Sequence, residues 1–183
     1  MRTHLSFAAI LLLAGTCWAH HPNNRLTFRF LVDCSLRPPT HPLEWGDGNP
    51  NDVLCFEGIV QHPSKAHLIL GEAIGCASLE AQPYLEAGDA IVGLNVRHMI
   101  QLTKGNIVDD DFASITPLRD CPTHTDTHDL STTTDLTNIR PELSTRFYQG
   151  KDGMVGVNGK MHLSQFPNRI LFNTLFTAEF THY

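Results

Sequence analysis

The chain has 183 residues, with 13 Lys and Arg against 19 Asp and Glu, for a formal net charge of −6. No basic run or stripe is present, which argues against nucleic acid as a partner, and the length suits one domain with a true core. Serine-nucleophile motifs, a P-loop and a dinucleotide fingerprint are absent, so no cofactor is expected.

The chain opens with Arg2, an apolar stretch from Leu5 to Leu13, and the small-x-small triplet Cys17-Trp18-Ala19. This is the pattern of a secretory signal peptide over residues 1–19, too short to span a bilayer comfortably. It predicts a secreted protein, free of the membrane after cleavage, with one domain over residues 20–183. His20 and His21 would then sit at a frayed terminus.

Leu26 to Val32 alternates, with Leu26, Phe28, Phe30 and Val32 on one face, and predicts a strand. Residues 37–52 are rich in Pro, Gly and Asn and predict a long loop. Val53 to Val60 and Ala66 to Cys76 read as the next two strands, and Ser78 to Asp89 as a connection with a helical turn. Ala90 to Thr103 is a long apolar run. Leu94, Val96, His98, Ile100 and Leu102 share one side of it; Ile91 and Met99 take the other. Two dry faces need two covers, the interior of the fold and, for the outer one, a second copy of the chain, so a homo-oligomer is expected.

Lys104-Gly105-Asn106 supplies a tight turn before a strand over Ile107 to Ile115. Residues 118–142 are polar and read as a loop or lid. Leu143 to Tyr148, Val155 to Ser164 and Arg169 to His182 supply the remaining strands, the last two joined by a turn at Phe166-Pro167-Asn168. Eight strand-like runs with almost no amphipathic helix pattern predict an all-β fold, a closed antiparallel eight-stranded barrel.

After signal removal Cys34, Cys55, Cys76 and Cys121 remain, and four cysteines on an exported chain suggest two disulfides with three possible pairings. Cys34 and Cys55 lie on consecutive strands and are expected to face each other, leaving Cys76 for Cys121. Glu72 shares a strand face with Leu68, Leu70, Ile74 and Cys76; if that face lines the barrel, an acid and a thiol share an apolar cavity. Glu57 is a second candidate acid. His98, on an apolar face, reads as hydrogen-bonded core filler or a cavity residue. The His124, Asp126, His128 and Asp129 cluster reads as a solvated loop, and Asp109, Asp110 and Asp111 as a charged barrel rim, so no metal is expected.

Four segments carry a resemblance to a known family. They are Leu26 to Val32 with the Pro-rich loop after it, Gly48 to Gly58 (GNPNDVLCFEG), Gly71 to Cys76 (GEAIGC), and Gly150 to Phe176 with its recurring glycines, Phe-Pro turn and LFNTLF strand. In this order they resemble the allene oxide cyclase and dirigent-like β-barrel family, including secreted microbial members. The resemblance implies a closed barrel and a cavity for a small apolar or aromatic molecule, with an isomerase or cyclase step as the reaction class. It does not carry the plant cyclase site across: Arg29, Phe30, Leu31 and Val32 stand where the acid and amide would be, and Cys76 comes one residue early, which reverses its face. Glu72, Glu57 and Cys76 are the catalytic candidates. Phe28, Phe30, Phe56, His98, Phe172 and Phe176 are the expected cavity residues. The alternative is a non-catalytic extracellular carrier, effector or structural barrel.

Overall fold

The computed structural model describes residues 24–46, 48–87, 89–118 and 129–181. Eight strands run in chain order: β1 (Arg25–Cys34), β2 (Val53–His62), β3 (Lys65–Ser78), β4 (Ile91–Leu102), β5 (Gly105–Pro117), β6 (Asp129–Ile139), β7 (Gly153–His162) and β8 (Ile170–Phe180). Each pairs antiparallel with its sequence neighbours, and β8 returns to β1, with Phe28 opposite Phe176, to close the barrel. Two short helices, α1 (Pro42–Trp45) and α2 (Gln82–Ala87), lie in the connections after β1 and β3. Among the described residues no helix is long and apolar enough to cross a membrane.

The strands alternate because one face of each must leave water. Phe28, Phe30 and Val32 of β1 point inward, as do Leu94, Val96 and Ile100 of β4, Ile107, Ala113 and Ile115 of β5, and Phe176 and Ala178 of β8. Phe28 stacks on Phe176 at 5.2 Å between ring centroids, and Phe56 on Phe172 at 4.9 Å. Such pairs contribute beyond the area they bury.

Three expectations about the strands change. The sixth strand is β6, inside the segment read as a polar loop, while residues 143–148 hold only a short 3-10 turn, Arg146–Tyr148. The run DLSTTTDLTNI is polar yet threonine-rich, and β-branched threonine suits an extended backbone. Ile91 also changes sides: it packs against the interior cluster because Gly93, at φ 83°, sits at a register shift in β4 and re-aims the residues before it. The outer face beneath Met99 and Val108 is covered by the chain itself, through Leu43 of α1 and Leu143.

Residues 1–23 lie outside the described residues, and with them the expected signal peptide and His20 and His21. The same holds for Cys121, His124, Asp126 and His128.

Candidate functional site

The hairpin between β4 and β5 builds the site. Leu102 pairs with Gly105 across a two-residue turn, and that register sets His98 opposite Asp109 and Val96 opposite Asp111. With a side-chain period of two, His98, Asp109 and Asp111 all face the interior, and all three are buried. Asp110 faces outward, where Arg97 grips both of its carboxylate oxygens and Arg140 adds a further contact at 2.5 Å. Burial opposes ionisation of Asp110, but the two guanidinium groups win and lower its pKa.

Inside, both carboxylates meet the same ring nitrogen. His98 Nδ1 is 3.1 Å from Asp109 Oδ1 and 2.9 Å from Asp111 Oδ2. Thr137 places its hydroxyl between Asp111 Oδ1 and the Val155 carbonyl. Asp109 Oδ2 and Asp111 Oδ2 have no hydrogen-bond partner among the described residues. The ring is held by aromatic edges, with Phe176 at 4.8 Å, Phe30 at 6.3 Å and Phe56 at 6.4 Å between centroids. Burial drives the imidazole toward neutrality, but the charges of Asp111 and Asp109 reverse this and raise its pKa to about 10. Burial, and then repulsion from Asp111, push Asp109 up to about 7.

His98 and Asp111 line a cavity of about 80 Å³ in one half of the barrel. Its walls are almost wholly apolar, with Phe30, Phe56, Phe172 and Phe176 around the histidine. Leu36, Leu79, Gln82 and Phe166, all from connections at the same end of the barrel, complete the lining at the mouth. Gly75 of β3 makes the room: a Cβ there would lie 2.3 Å from Phe56 Cζ and 3.1 Å from His98 Cδ2. Of the six aromatic residues named from the sequence, Phe30, Phe56, His98, Phe172 and Phe176 line the cavity, whereas Phe28 packs in the core away from it.

The catalytic candidates read from the sequence lie elsewhere. Glu72 is exposed, because β3 turns its small residues Ala73 and Gly75 inward and so sends Glu72, Ile74 and Cys76 out. Glu57 is exposed and ion-paired with Arg37, which also holds Glu44 through two hydrogen bonds of 2.9 and 3.0 Å. That grip, reinforced by the Thr40 amide, lowers Glu44 to about 2 despite its burial.

Cys76 is bonded to Cys55, its direct partner across β2 and β3, and not to Cys121. Cys34 does not pair with Cys55: it is a free, half-buried thiol whose sulfur accepts the Glu57 amide. Cys34 and Cys55 do lie on paired strands, but Cys55 falls opposite Cys76 in the register, and that proximity decides the bridge. The bridge fits an oxidising compartment.

The acids that matter are Asp109 and Asp111, which are core residues and not the rim expected for them. The signal was present: Ile107, Asp109, Asp111, Ala113 and Ile115 form one alternating face, and a two-residue turn at Thr103-Lys104 sets His98 against it.

The chain matches no known family model, no characterised protein and no solved structure. Function therefore has to be argued from the site itself.

Proposed function

We propose that this barrel receives a small molecule with an apolar or aromatic body and one polar group, the polar group resting against His98 and Asp111. The observation that carries the proposal is the contrast within the cavity: aromatic and aliphatic walls around a buried His-Asp floor. Small-molecule sites commonly combine an apolar lining with a few placed polar groups. Phe30, Phe56, Phe172 and Phe176 would fix the conformation of the bound body, and confinement of this kind can steer a cyclisation or coupling. The resemblance to allene oxide cyclase and dirigent-like barrels supports an isomerase or cyclase reaction class, and the signal-like N-terminus together with the Cys55–Cys76 bridge supports secretion.

A second reading is favoured by one observation. The void of about 80 Å³ is well below the roughly 300 Å³ at which common small-molecule pockets begin. Apolar cavities that take one benzene ring are about 150 Å³, so even a single ring must project through the mouth or displace Phe56 or Phe172. A non-catalytic effector or structural barrel would need no more space than this.

Calorimetric titration with phenol, against cyclohexanol and benzene as partial mimics, separates the readings. Saturable phenol binding that is abolished by Ala77→Phe at the cavity wall supports the receptor. Absence of binding by all three supports the filled barrel.

A further inference from the structure

We infer that His98, Asp109 and Asp111 form a binding site for one divalent transition-metal cation, of the Zn²⁺ or Mn²⁺ class, at the floor of the barrel cavity. The inference rests on the geometry of these three side chains and is independent of whether the cavity takes an organic ligand. One ligand atom from each lies within 4.8 Å of the other two. The two spacings to the ring nitrogen also match. Cations held by bonds of about 2.1 Å in octahedral geometry have ligand atoms about 3.0 Å apart along each edge. His98 Nδ1 lies 3.1 Å from Asp109 Oδ1 and 2.9 Å from Asp111 Oδ2.

Hydrogen bonding points the same way. If the ring is an imidazolium, Nδ1 carries one proton, and its geometry gives that proton to Asp109 Oδ1. Asp111 Oδ2, though close to the same nitrogen, is left without a hydrogen bond, as is Asp109 Oδ2. An unpartnered Asp109 oxygen, and an Asp111 oxygen held only by its ion pair with the ring, are costly in a buried site, and each has a lone pair to offer a cation. Charge points the same way again. When both carboxylates are ionised, they and one imidazolium leave a net negative charge in the interior, and the nearby Arg97 and Arg140 are committed to Asp110 on the outer face. A divalent ion with a neutral imidazole balances both carboxylates and releases the proton from Nδ1.

One nitrogen and two carboxylates suit a first-row transition ion better than Ca²⁺ or Mg²⁺, which favour all-oxygen shells. Thr137 holds Asp111 from behind through Oδ1, leaving Oδ2 for the ion, and the aromatic edges of Phe30, Phe56 and Phe176 fix the ring. His98 and Asp111 line the cavity while Asp109 does not, so the remaining coordination positions would open toward the cavity.

The test uses the full chain, purified without chelator, stripped with dipicolinate, and titrated with ZnCl₂ and separately with MnCl₂. The expected result is one equivalent per chain by elemental analysis, with affinity falling at least ~100-fold in Asp109→Asn, Asp111→Asn and His98→Gln. Asp110→Asn and the loop double variant His124→Ala/His128→Ala should retain the full equivalent. If an interior variant fails to fold, spin-echo spectroscopy of the Mn²⁺-loaded wild type decides: coupling to one imidazole nitrogen upholds the site, and its absence overturns it. A wild type that takes up no stoichiometric metal, or that loses it in the loop variant, would show that the three side chains form a proton-bridged ion pair only.

Discussion

His98 and Asp109 stand directly opposite each other across β4 and β5, and the ring nitrogen facing the carboxylate is also the one nearest Asp111. A single imidazole therefore answers for two buried acids. Removing it strands both. His98→Phe, which keeps ring volume but offers no charge or lone pair, should destabilise the fold by roughly 3–5 kcal/mol. Urea unfolding of the variant beside the wild type checks this, and a loss below about 1 kcal/mol would mean that the acids find other compensation.

Gly75 makes space for two site residues at once, since a methyl group there would press on Phe56 and His98. Gly75→Ala should cost about 1–3 kcal/mol through overpacking. It should also perturb the ring resonances of Phe56 and His98 before those of Phe28, which lies away from the cavity. An unchanged aromatic spectrum would show that the neighbouring strand yields without disturbing the cavity.

The Cys55–Cys76 bridge closes a sequence separation of 21 residues. Replacing both cysteines with alanine should lower stability by about 2–4 kcal/mol. Mass spectrometry of unreduced peptides should recover Cys55 linked to Cys76, with Cys34 in a different peptide species. A Cys34–Cys55 peptide as the main product would contradict the register of β2 and β3.

Glu44 gives the fold a defined acid sensitivity. Arg37 and the Thr40 amide hold its pKa at about 2, below the ordinary 4.5. A carboxylate whose pKa is depressed by folding stabilises the protein above its unfolded value, and that contribution is lost as pH falls through the folded value. The share due to Glu44 should therefore be complete above about pH 4.5 and disappear toward pH 2. Glu44→Gln should flatten the stability profile across that window and leave its shape above it unchanged; a profile identical to wild type between pH 2 and 4.5 would show that Arg37 does not stabilise the carboxylate.

Most of the barrel was legible from alternation alone. Phe28, Phe30 and Val32 read correctly as one buried face, and so did Leu94, Val96 and Ile100. The sixth strand was hidden because threonine and aspartate dominate it; polarity says loop, while β-branching says strand. On β3 the apolar pattern misled in the opposite direction. Its larger side chains, Ile74 and Cys76, face outward under α1 and Leu143, and its glycine and alanine residues face in beneath Phe56 and His98. A rule that equates bulk with burial places Glu72 inside, and the structure places it in solvent. The His-Asp-Asp cluster required one further step, carrying the turn register from Leu102 and Gly105 back to His98.

A crystal structure of the full chain soaked with phenol tests the receptor most directly. The account predicts one ordered ring in the cavity beside the stacked Phe56 and Phe172, its oxygen within hydrogen-bonding distance of His98 or Asp111. A barrel in which those two phenylalanines keep the space to themselves, with phenol bound only on the outer surface or nowhere, would contradict it.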